Sequence, residues 1–375
     1  MLFFGLTACQ FPLKIDAKKT SPIQVEKEKK IEEIHTVVLA FVGDVIVHEK
    51  LRLREEKTHE GYQIIWSNIQ NYLSSADFTY ANLEGPVAEE YGGVSGFPMF
   101  NFPEKIISSL KDSGFDLVST ANNHALDRQA SGVRKTIQNL QKYNLGYTGT
   151  LTNAIAFDLN QETWWHLTPF ESKSIAWVSC TEMTNGMRDK EGQVLYCFKD
   201  IPKMKEIILQ LKNDKKVAAI ILLPHWGEEE KYEIESYRRR WAHIMLDLGA
   251  TAVIGSHPHV SQKIEMHLTP DKRKTLIAYS LGNFISNQPA VPTKTSMLLY
   301  LKLKPVRDSF VFDDVKYIPL WMNRKIEKDF TARFRLEPAF DMKRYPKEAV
   351  QIWHEQLGEE GRLKSPIEVE NFLKK

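Results

Sequence analysis

Two stretches of the sequence carry polar residues of the types that bind metal ions. "STANNHALD" places Asn122, Asn123 and His124 directly after an apolar run, and "IGSHPHV" places His257 and His259 directly after another. Imidazole nitrogens together with amide or carboxylate oxygens suit Mn²⁺, Fe and Zn²⁺. The two stretches therefore indicate a metal site rather than ordinary polar turns.

Three further apolar runs end in the same way. Asp44 follows "TVVLAFVG", Glu84 follows "ADFTYANL", and His225 follows "KVAAIILLP". Two carboxylates, an amide and three imidazoles are enough to hold two divalent ions, and such a pair activates water for hydrolysis. The remaining histidine of the set, His124, would act as a general acid or orient a substrate. No cysteine belongs to the set, so a structural zinc site built from thiolates is not expected.

The apolar runs alternate with segments of helical periodicity. "TVVLAFVGD" is a continuous apolar run of the kind that forms a strand buried on both faces. "GVRKTIQNLQKYNLG" repeats apolar residues at helical spacing and ends at a glycine. The alternation predicts a layered α/β sandwich, with mixed sheets flanked by helices. Because residues just beyond the strand ends of such folds gather in one crevice, we expect the five polar clusters to meet.

The composition excludes several classes of protein. The chain has 375 residues, of which 42% are hydrophobic, so it can bury a sizeable core. The formal net charge is +2, and the positive residues are not gathered into a basic face that would bind nucleic acid. Cys180 and Cys197 are too few for a disulfide scaffold. We expect them to be reduced, half-buried thiols, although the sequence leaves their pairing open.

The N-terminal segment differs from the rest of the chain. "LTAC" has the apolar and small residues that precede the lipid-modified cysteine of bacterial lipoproteins, which predicts lipidation at Cys9. Residues 1–9 are then a truncated signal with its processing site, and the charge-rich residues 10–35 are a flexible tether. The alternative is an ordinary frayed terminus. Lipidation would place the protein outside the cytoplasm, anchored to the bacterial cell membrane.

The motifs resemble, in order, those of the CapA family of poly-γ-glutamate capsule synthesis proteins. They are "FVGDVIVH", "ANLEGPV", "STANNHALD", "LPHWGEE", "IGSHPHVSQKIE" and "YSLGNFISNQ". The resemblance implies a fold similar to that of calcineurin-like metallophosphatases. We expect this domain to span residues 36–335, followed by a peripheral helical extension at 336–375.

The resemblance also implies roles for individual residues. It implies a set of two carboxylate, one amide and three imidazole ligands, which are Asp44, Glu84, Asn123, His225, His257 and His259. These would hold one or two divalent ions (Mn, Fe or Zn), with Glu84 as a bridging ligand. His124 would be the catalytic general acid. Asn283 of "YSLGNF" would lie near the site, as support or as a substrate contact.

The function implied is that of a surface-anchored metal-binding protein of poly-γ-glutamate capsule biosynthesis or export. It would bind or move this anionic polymer together with membrane-embedded capsule synthesis proteins. One alternative is a metal-dependent hydrolase that acts on a phosphoester or on the amide of the polymer. Another is a non-catalytic lipoprotein scaffold. Arg238 to Arg240 either attract the carboxylates of the polymer or form the solvated face of a helix.

Two features beside the predicted site have open interpretations. The loop "YGGVSGFPMFNFP" brings Phe97, Phe100 and Phe102 close to the crevice, where they either cover a substrate chain or pack onto the body of the protein. His48 follows Asp44 by four residues, which is near enough to approach the site, but a role there is not the favoured interpretation.

Overall fold

The computed structural model describes residues 35–155, 162–326 and 332–374. The strands are, in chain order, β1 (Val37–Val45), β2 (Phe78–Leu83), β3 (Leu117–Ser119), β4 (Gly146–Thr148), β5 (Trp165–Phe170), β6 (Lys173–Thr181), β7 (Val217–His225), β8 (Ala252–Ile254), β9 (Ile264–Leu268), β10 (Lys274–Ala278), β11 (Asn283–Ile285), β12 (Thr295–Val306), β13 (Ser309–Ile326) and β14 (Ala332–Pro338). The predicted processing site at Cys9 and residues 10–34 of the predicted tether lie outside the described residues.

Helices lie between most of these strands. They are α1 (Glu49–Thr58), α2 (Gln70–Ser74), α3 (Lys105–Asp112), α4 (Gln129–Lys142), α5 (Ile201–Asn213), α6 (Ser236–Leu248), α7 (Val291–Lys294), α8 (Lys347–Gln356) and α9 (Pro366–Leu373). In the part of the chain that the structure describes, no helix combines the length and the apolar character needed to cross a membrane.

The strands form two mixed sheets. The first has the order β14-β13-β12-β1-β2-β3-β4, with β11 beside β1. Its strands β1 to β4 are parallel, whereas β12, β13 and β14 are antiparallel. The second has the order β5-β6-β7-β8-β10-β9, in which β6, β7, β8 and β10 are parallel. The layered α/β architecture predicted from the alternating pattern is confirmed.

The two sheets pack face to face through large apolar side chains. The ring of Phe41 on β1 lies 5.9 Å from that of Tyr80 on β2 and 5.8 Å from that of Trp177 on β6. All three are buried. Helix α3 covers the outer face of the first sheet and helices α5 and α6 cover that of the second. Burial on both faces explains why the central strands read as unbroken apolar runs.

The C-terminal part of the chain belongs to the core, and the prediction that it is peripheral is wrong. Tyr317 on β13 and Trp353 on α8 are both buried in the apolar cluster between the sheets. The boundary expected at residues 335 and 336 falls inside β14. The long antiparallel strands extend the first sheet, so their apolar residues complete its face instead of forming a separate layer.

Cys180 and Cys197 form a disulfide, so the expectation of two free thiols is wrong. Cys180 is near the end of β6, and the chain after it returns to run beside the same strand. The Thr181 N–H donates to the Leu195 carbonyl, and the Cys197 N–H donates to the Thr181 carbonyl. This pairing brings the two cysteine Cα atoms within 5.1 Å. No pattern in the sequence predicts the return of the chain.

Candidate metal centre

The structure brings the six predicted ligand residues together where strands from both sheets end. Each of them is at most 4% exposed; they are Asp44, Glu84, Asn123, His225, His257 and His259. Among the described residues, two groups have ligand atoms that all lie within 4.8 Å of one another. One is Glu84, His257 and His259, and the other is Asp44, Glu84 and His225. Glu84 belongs to both groups.

Asp44 lies near the end of β1 and contacts one of the predicted histidine ligands. Its Oδ2 lies 3.0 Å from Nδ1 of His259, and its Oδ1 accepts a 2.8 Å hydrogen bond from Nδ2 of Asn82. The Asp44 N–H donates to the Gly282 carbonyl, which fixes the end of β1 against the chain before β11. The carboxylate is therefore held in place by backbone pairing and by an amide from the next strand.

Glu84 is a buried carboxylate whose near neighbours are imidazoles and other acids. Its Oε1 lies 3.5 Å from Nε2 of His259 and 3.6 Å from Nε2 of His225. Burial and then the charge of Asp44 raise the pKa of Glu84 well above its usual value. A divalent cation in this position would favour the ionised forms of both carboxylates.

His225 is held by partners on both ring nitrogens. Its Nε2 lies 3.0 Å from Oδ1 of Asn123, and its Nδ1 lies 3.0 Å from Oγ of Ser256 and 3.1 Å from Nδ2 of Asn82. Burial, followed by the nearby His257 and His259, lowers its pKa well below the usual value. The ring is thus neutral, which is the form that binds metals.

His257 supplies a test of whether these residues fit a metal ion. Its buried Nδ1 has no hydrogen-bond partner among the described residues, and burial with the neighbouring His259 lowers its pKa to about 3. The backbone is strained at both histidines, with φ of 101° at His257 and 59° at His259. An unpartnered neutral imidazole beside two buried carboxylates is what a divalent cation requires. The residues present therefore fit such an ion.

Two glycines let the strand ends approach so closely. A Cβ atom on Gly43 would lie 1.7 Å from the Gly282 carbonyl oxygen, and one on Gly255 would lie 2.0 Å from the Tyr279 carbonyl oxygen. Any side chain at these two positions would push apart the segments that carry Asp44 and His257. The absence of a side chain at these glycines thus provides room for the backbone contact.

His124 lies beside the cluster rather than within either ligand group. Its Nδ1 is 2.7 Å from Oδ2 of Asp127, and its Nε2 is 3.4 Å from Nδ2 of Asn185. The ring of Phe100 packs on it at 4.5 Å between ring centres, and the Phe100 N–H donates to the same Asp127 oxygen at 2.6 Å. A histidine oriented by a carboxylate in this way is suited to proton transfer.

The prediction missed four polar residues that contact the proposed ligands or His124. They are Asn82, Asp127, Asn185 and Ser256. Three of them lie within three residues of a predicted site residue, so their proximity in sequence was the signal. Asn185 had none, because its position depends on the loop that returns to the disulfide.

Of the three arginines of α6, Arg238 and Arg239 are paired with acidic residues, whereas Arg240 is exposed. Arg238 is 5% exposed, and its Nε and Nη2 each donate to Glu182 at 2.9 Å. Arg239 pairs with Glu265 at 3.1 Å. Glu182 also accepts from the N–H of Gly227, which follows the segment of His225. Both earlier interpretations are wrong for Arg238, which instead supports the loop beyond β7.

Asn283 and the aromatic loop have structural roles that the sequence left open. The Asn283 Nδ2 donates to Oε1 of Gln288 at 2.7 Å, and it lies 3.4 Å from the His259 carbonyl, so it supports the site. Phe100 and Phe102 are buried, whereas Phe97 is 75% exposed. Of the three phenylalanines, Phe97 is therefore the one that is open to a substrate.

The sequence matches a protein-family model described as "Bacterial capsule synthesis protein PGA_cap" over residues 38–288. The chain belongs to this family. The matched range contains every predicted ligand and His124. The predicted likeness to the CapA family is thus confirmed.

Two similar proteins have names that refer to PGA or capsule biosynthesis. The "PGA biosynthesis protein CapA" of Bacillus subtilis (strain 168) is 27% identical over 277 residues, which cover 71% of this chain and 67% of that protein. The "Capsule biosynthesis protein CapA" of Bacillus anthracis is 26% identical over 297 residues, which cover 76% of this chain and 68% of that protein.

Solved structures also align with this member of the PGA_cap family. The calcineurin-like phosphoesterase YfkN from Bacillus subtilis is 13% identical, with 91% of this chain and 100% of that chain covered, at a TM-score of 0.47. The Haemophilus influenzae NAD nucleotidase (NadN) is 10% identical, with 91% and 59% covered, at a TM-score of 0.48.

Proposed function

We propose that this PGA_cap protein acts outside the cytoplasm, anchored to the cell membrane, in the synthesis or export of a poly-γ-glutamate capsule, and that a divalent metal centre is its working site. One observation carries the metal assignment. Asp44 and Glu84 are buried, and among the described residues the basic side chains that contact their carboxylates are all histidines, with no lysine or arginine. Buried carboxylates are stable when they are paired with a positive charge, and a bound cation would supply that charge here.

The two ligand groups define how the centre would be built. Asp44, Glu84 and His225 would hold one ion, and Glu84, His257 and His259 would hold a second or complete the shell of the first. Membership of Glu84 in both groups supports the bridging role, and the contact of Asn123 with His225 supports the amide ligand. Bound divalent ions act as Lewis acids toward oxygens such as those of the polymer. The mixed donors suit Mn²⁺, Fe or Zn²⁺.

The disulfide supports the proposed location. Disulfides form and persist in oxidising compartments, and they are rare in the bacterial cytosol. Cys180 and Cys197 are both fully buried, so their bond is part of the packed core. Together with the processing motif at Cys9, it favours an extracytoplasmic lipoprotein that works beside membrane-embedded capsule synthesis proteins.

Hydrolysis of a phosphoester or of the polymer amide is the second candidate, and the pair formed by His124 and Asp127 favours it. Asp127 accepts the Nδ1–H of His124 and orients its ring for proton transfer at Nε2. The proton on Nε2 would pass to the leaving oxygen or nitrogen, and His124 would become neutral while keeping its Nδ1–H on Asp127. Phe100 covers the ring and excludes water from one side of it.

Metal analysis tests the centre directly. Purified protein is dialysed against Mn²⁺ or Zn²⁺, and its metal content is compared with that of His225→Ala and of the control His354→Ala, which changes an exposed histidine on α8. We expect one or two ions per chain in wild type and in the control, and a marked loss in His225→Ala. Equal metal content in all three proteins would refute the centre.

A second experiment separates hydrolysis from binding. Metal-loaded wild type and His124→Ala are incubated with poly-γ-glutamate and with an aryl phosphodiester, and both proteins are tested for restoring the capsule in a strain that lacks the gene. If the centre hydrolyses its substrate, His124→Ala keeps its metal and loses about 10²–10⁴-fold in rate. If wild type and His124→Ala hydrolyse both substrates only at the background rate and both restore the capsule, hydrolysis is refuted and the binding or export role remains.

A further inference from the structure

A cavity of about 480 Å³ borders the candidate metal centre on the side of the aromatic loop, and neither ligand group includes its residues. Its lining includes His48, Lys50, Phe97 and Asn287. His48 lies between the cavity and the centre. Its ring is 5.7 Å from that of Phe100, which also contacts the His124 ring at 4.5 Å.

One hydrogen bond fixes the chemical form of His48. The backbone N–H of Asn287 donates to its Nδ1 at 3.1 Å. A ring nitrogen that accepts a hydrogen bond carries no proton, so the proton of a neutral ring is on Nε2. Burial, and then the nearby His259 and His124, lower the pKa of His48 to about 4, which agrees with a neutral ring. His48 is thus a hydrogen-bond donor that carries no charge.

The other side of the cavity is apolar and open. Phe97 remains 75% exposed, although the loop that carries it is well anchored. Asn101 accepts from the Ala88 N–H and donates to the carbonyls of Ala88 and Gly93, so the base of the loop is fixed. The Phe97 ring is therefore free to pack against a ligand that enters the cavity.

We propose that this cavity is a subsite for a γ-glutamyl unit of the polymer, in which His48 Nε2–H and Lys50 bind the α-carboxylate and Phe97 packs on the methylenes. The inference rests on the proposed function, because it takes poly-γ-glutamate as the ligand. Arg52 of the lining pairs with Glu56 and Glu49, so Lys50 supplies the positive charge that an anion would meet. The two methylenes of each γ-linked unit supply the apolar surface that Phe97 needs. His48 would be a substrate-binding residue and not a metal ligand.

Polymer binding by four variants tests the subsite. Affinity for poly-γ-glutamate is measured by calorimetry on metal-loaded wild type, His48→Leu, His48→Gln and Phe97→Ala, with His354→Leu as the control outside the cavity. We expect His48→Leu to weaken binding by about tenfold or more, because it removes a hydrogen bond to a charged group. His48→Gln keeps an N–H near the Nε2 position, so it retains most of the affinity. Phe97→Ala weakens binding about fivefold, and the control does not change.

The same variants distinguish the proposed subsite from binding by charge attraction alone. His48 is neutral, so its replacement by leucine changes no charge, and simple attraction of the polymer predicts equal affinities. Equal affinities of His48→Leu and wild type therefore overturn the subsite and leave the proposed function standing. Loss of metal from His48→Leu also overturns it, because His48 would then belong to the centre. Wild type that binds metal but not the polymer overturns both proposals.

Discussion

Acidification of the metal-free protein tests the neutral form of His48. Its pKa is lowered from 6.5 to about 4 in the folded state. Because the folded pKa is the lower one, the contribution of His48 to stability is complete above pH 6.5 and is lost as the pH falls toward 4. At pH 5.0 the unfolded chain binds a proton at this residue that the folded chain does not.

The size of the loss follows from the shift. Between pH 6.5 and pH 5.0, one such residue costs about 2 kcal/mol of unfolding free energy, at about 1.4 kcal/mol per pH unit. The total change in wild type also includes His257, with a pKa lowered to about 3, and His225, which act in the same direction. Glu84 acts in the opposite direction, because its pKa is raised in the folded state. The informative quantity is therefore the difference between wild type and His48→Gln, in which this contribution is absent.

Urea unfolding at pH 7.5 and at pH 5.0 in the presence of EDTA, followed by tryptophan fluorescence, measures that difference. We expect the unfolding free energy of His48→Gln to fall by about 2 kcal/mol less than that of wild type over this interval. The control His354→Gln changes an exposed residue and should fall as wild type does. If wild type and His48→Gln fall by the same amount, His48 is not held neutral by the fold, and the reasoning is refuted.

Three further changes probe the centre and its supports. Mn²⁺ at a hundredfold excess over its Kd should raise the unfolding free energy by about 2.7 kcal/mol, seen as a higher Tm, and His225→Ala should abolish the rise. Arg238→Ala removes two hydrogen bonds to the partly exposed Glu182 carboxylate, which keeps Gly227 and Tyr237 as donors, so urea unfolding should show a loss of about 1.5–3 kcal/mol, smaller for Arg238→Lys. Replacing Cys180 and Cys197 by alanine removes a link across 17 positions and should cost about 3 kcal/mol by the same measurement.

Each of these has an outcome that contradicts it. A Tm that rises equally in wild type and His225→Ala would place the metal elsewhere. Unchanged stability of Arg238→Ala would mean that Glu182 is solvated when the arginine is absent. Unchanged stability of the double cysteine variant would mean that the return of the loop beside β6 is held by its backbone hydrogen bonds alone.

The fold was predictable because its strands and helices differ so clearly in pattern. Strands such as β1 and β7 are buried on both faces and read as unbroken apolar runs, whereas α4 repeats apolar residues at helical spacing. The C-terminal part of the chain was wrongly predicted to be peripheral because its strands lack such a clear pattern. Strand β13 is partly or fully exposed over residues 311–316 and buried over 317–320, so it has neither a continuous apolar run nor a regular alternation. Its pairing with β12 depends on contacts that no short pattern encodes.

The sequence was enough to predict that the ligands meet, because one rule of sheet topology brings strand ends together. It was not enough to predict the residues that surround the ligands. Parallel strands bring their carboxyl ends to one edge, so Asp44, Glu84 and His225 meet although they lie far apart in sequence. The pairing of Arg238 with Glu182 depends on tertiary contacts between a helix and a strand end. The hydrogen bond from Asn287 to His48 joins residues 239 positions apart, and the sequence around His48 does not predict it.

The origin of the ligands links the proposed metal centre to the packing of the two sheets. In the first sheet, Asp44 lies in β1 and Glu84 directly follows β2. In the second sheet, His225 is the last residue of β7 and His259 lies in the segment after β8. An ion bound by both carboxylates and these histidines would join the sheets at the edge where their strands end. Its affinity would then depend on the apolar contact of Phe41 with Trp177 further along the same interface, since that contact sets how closely the sheets approach. Core substitutions remote from the ligands should therefore weaken metal binding as well as stability.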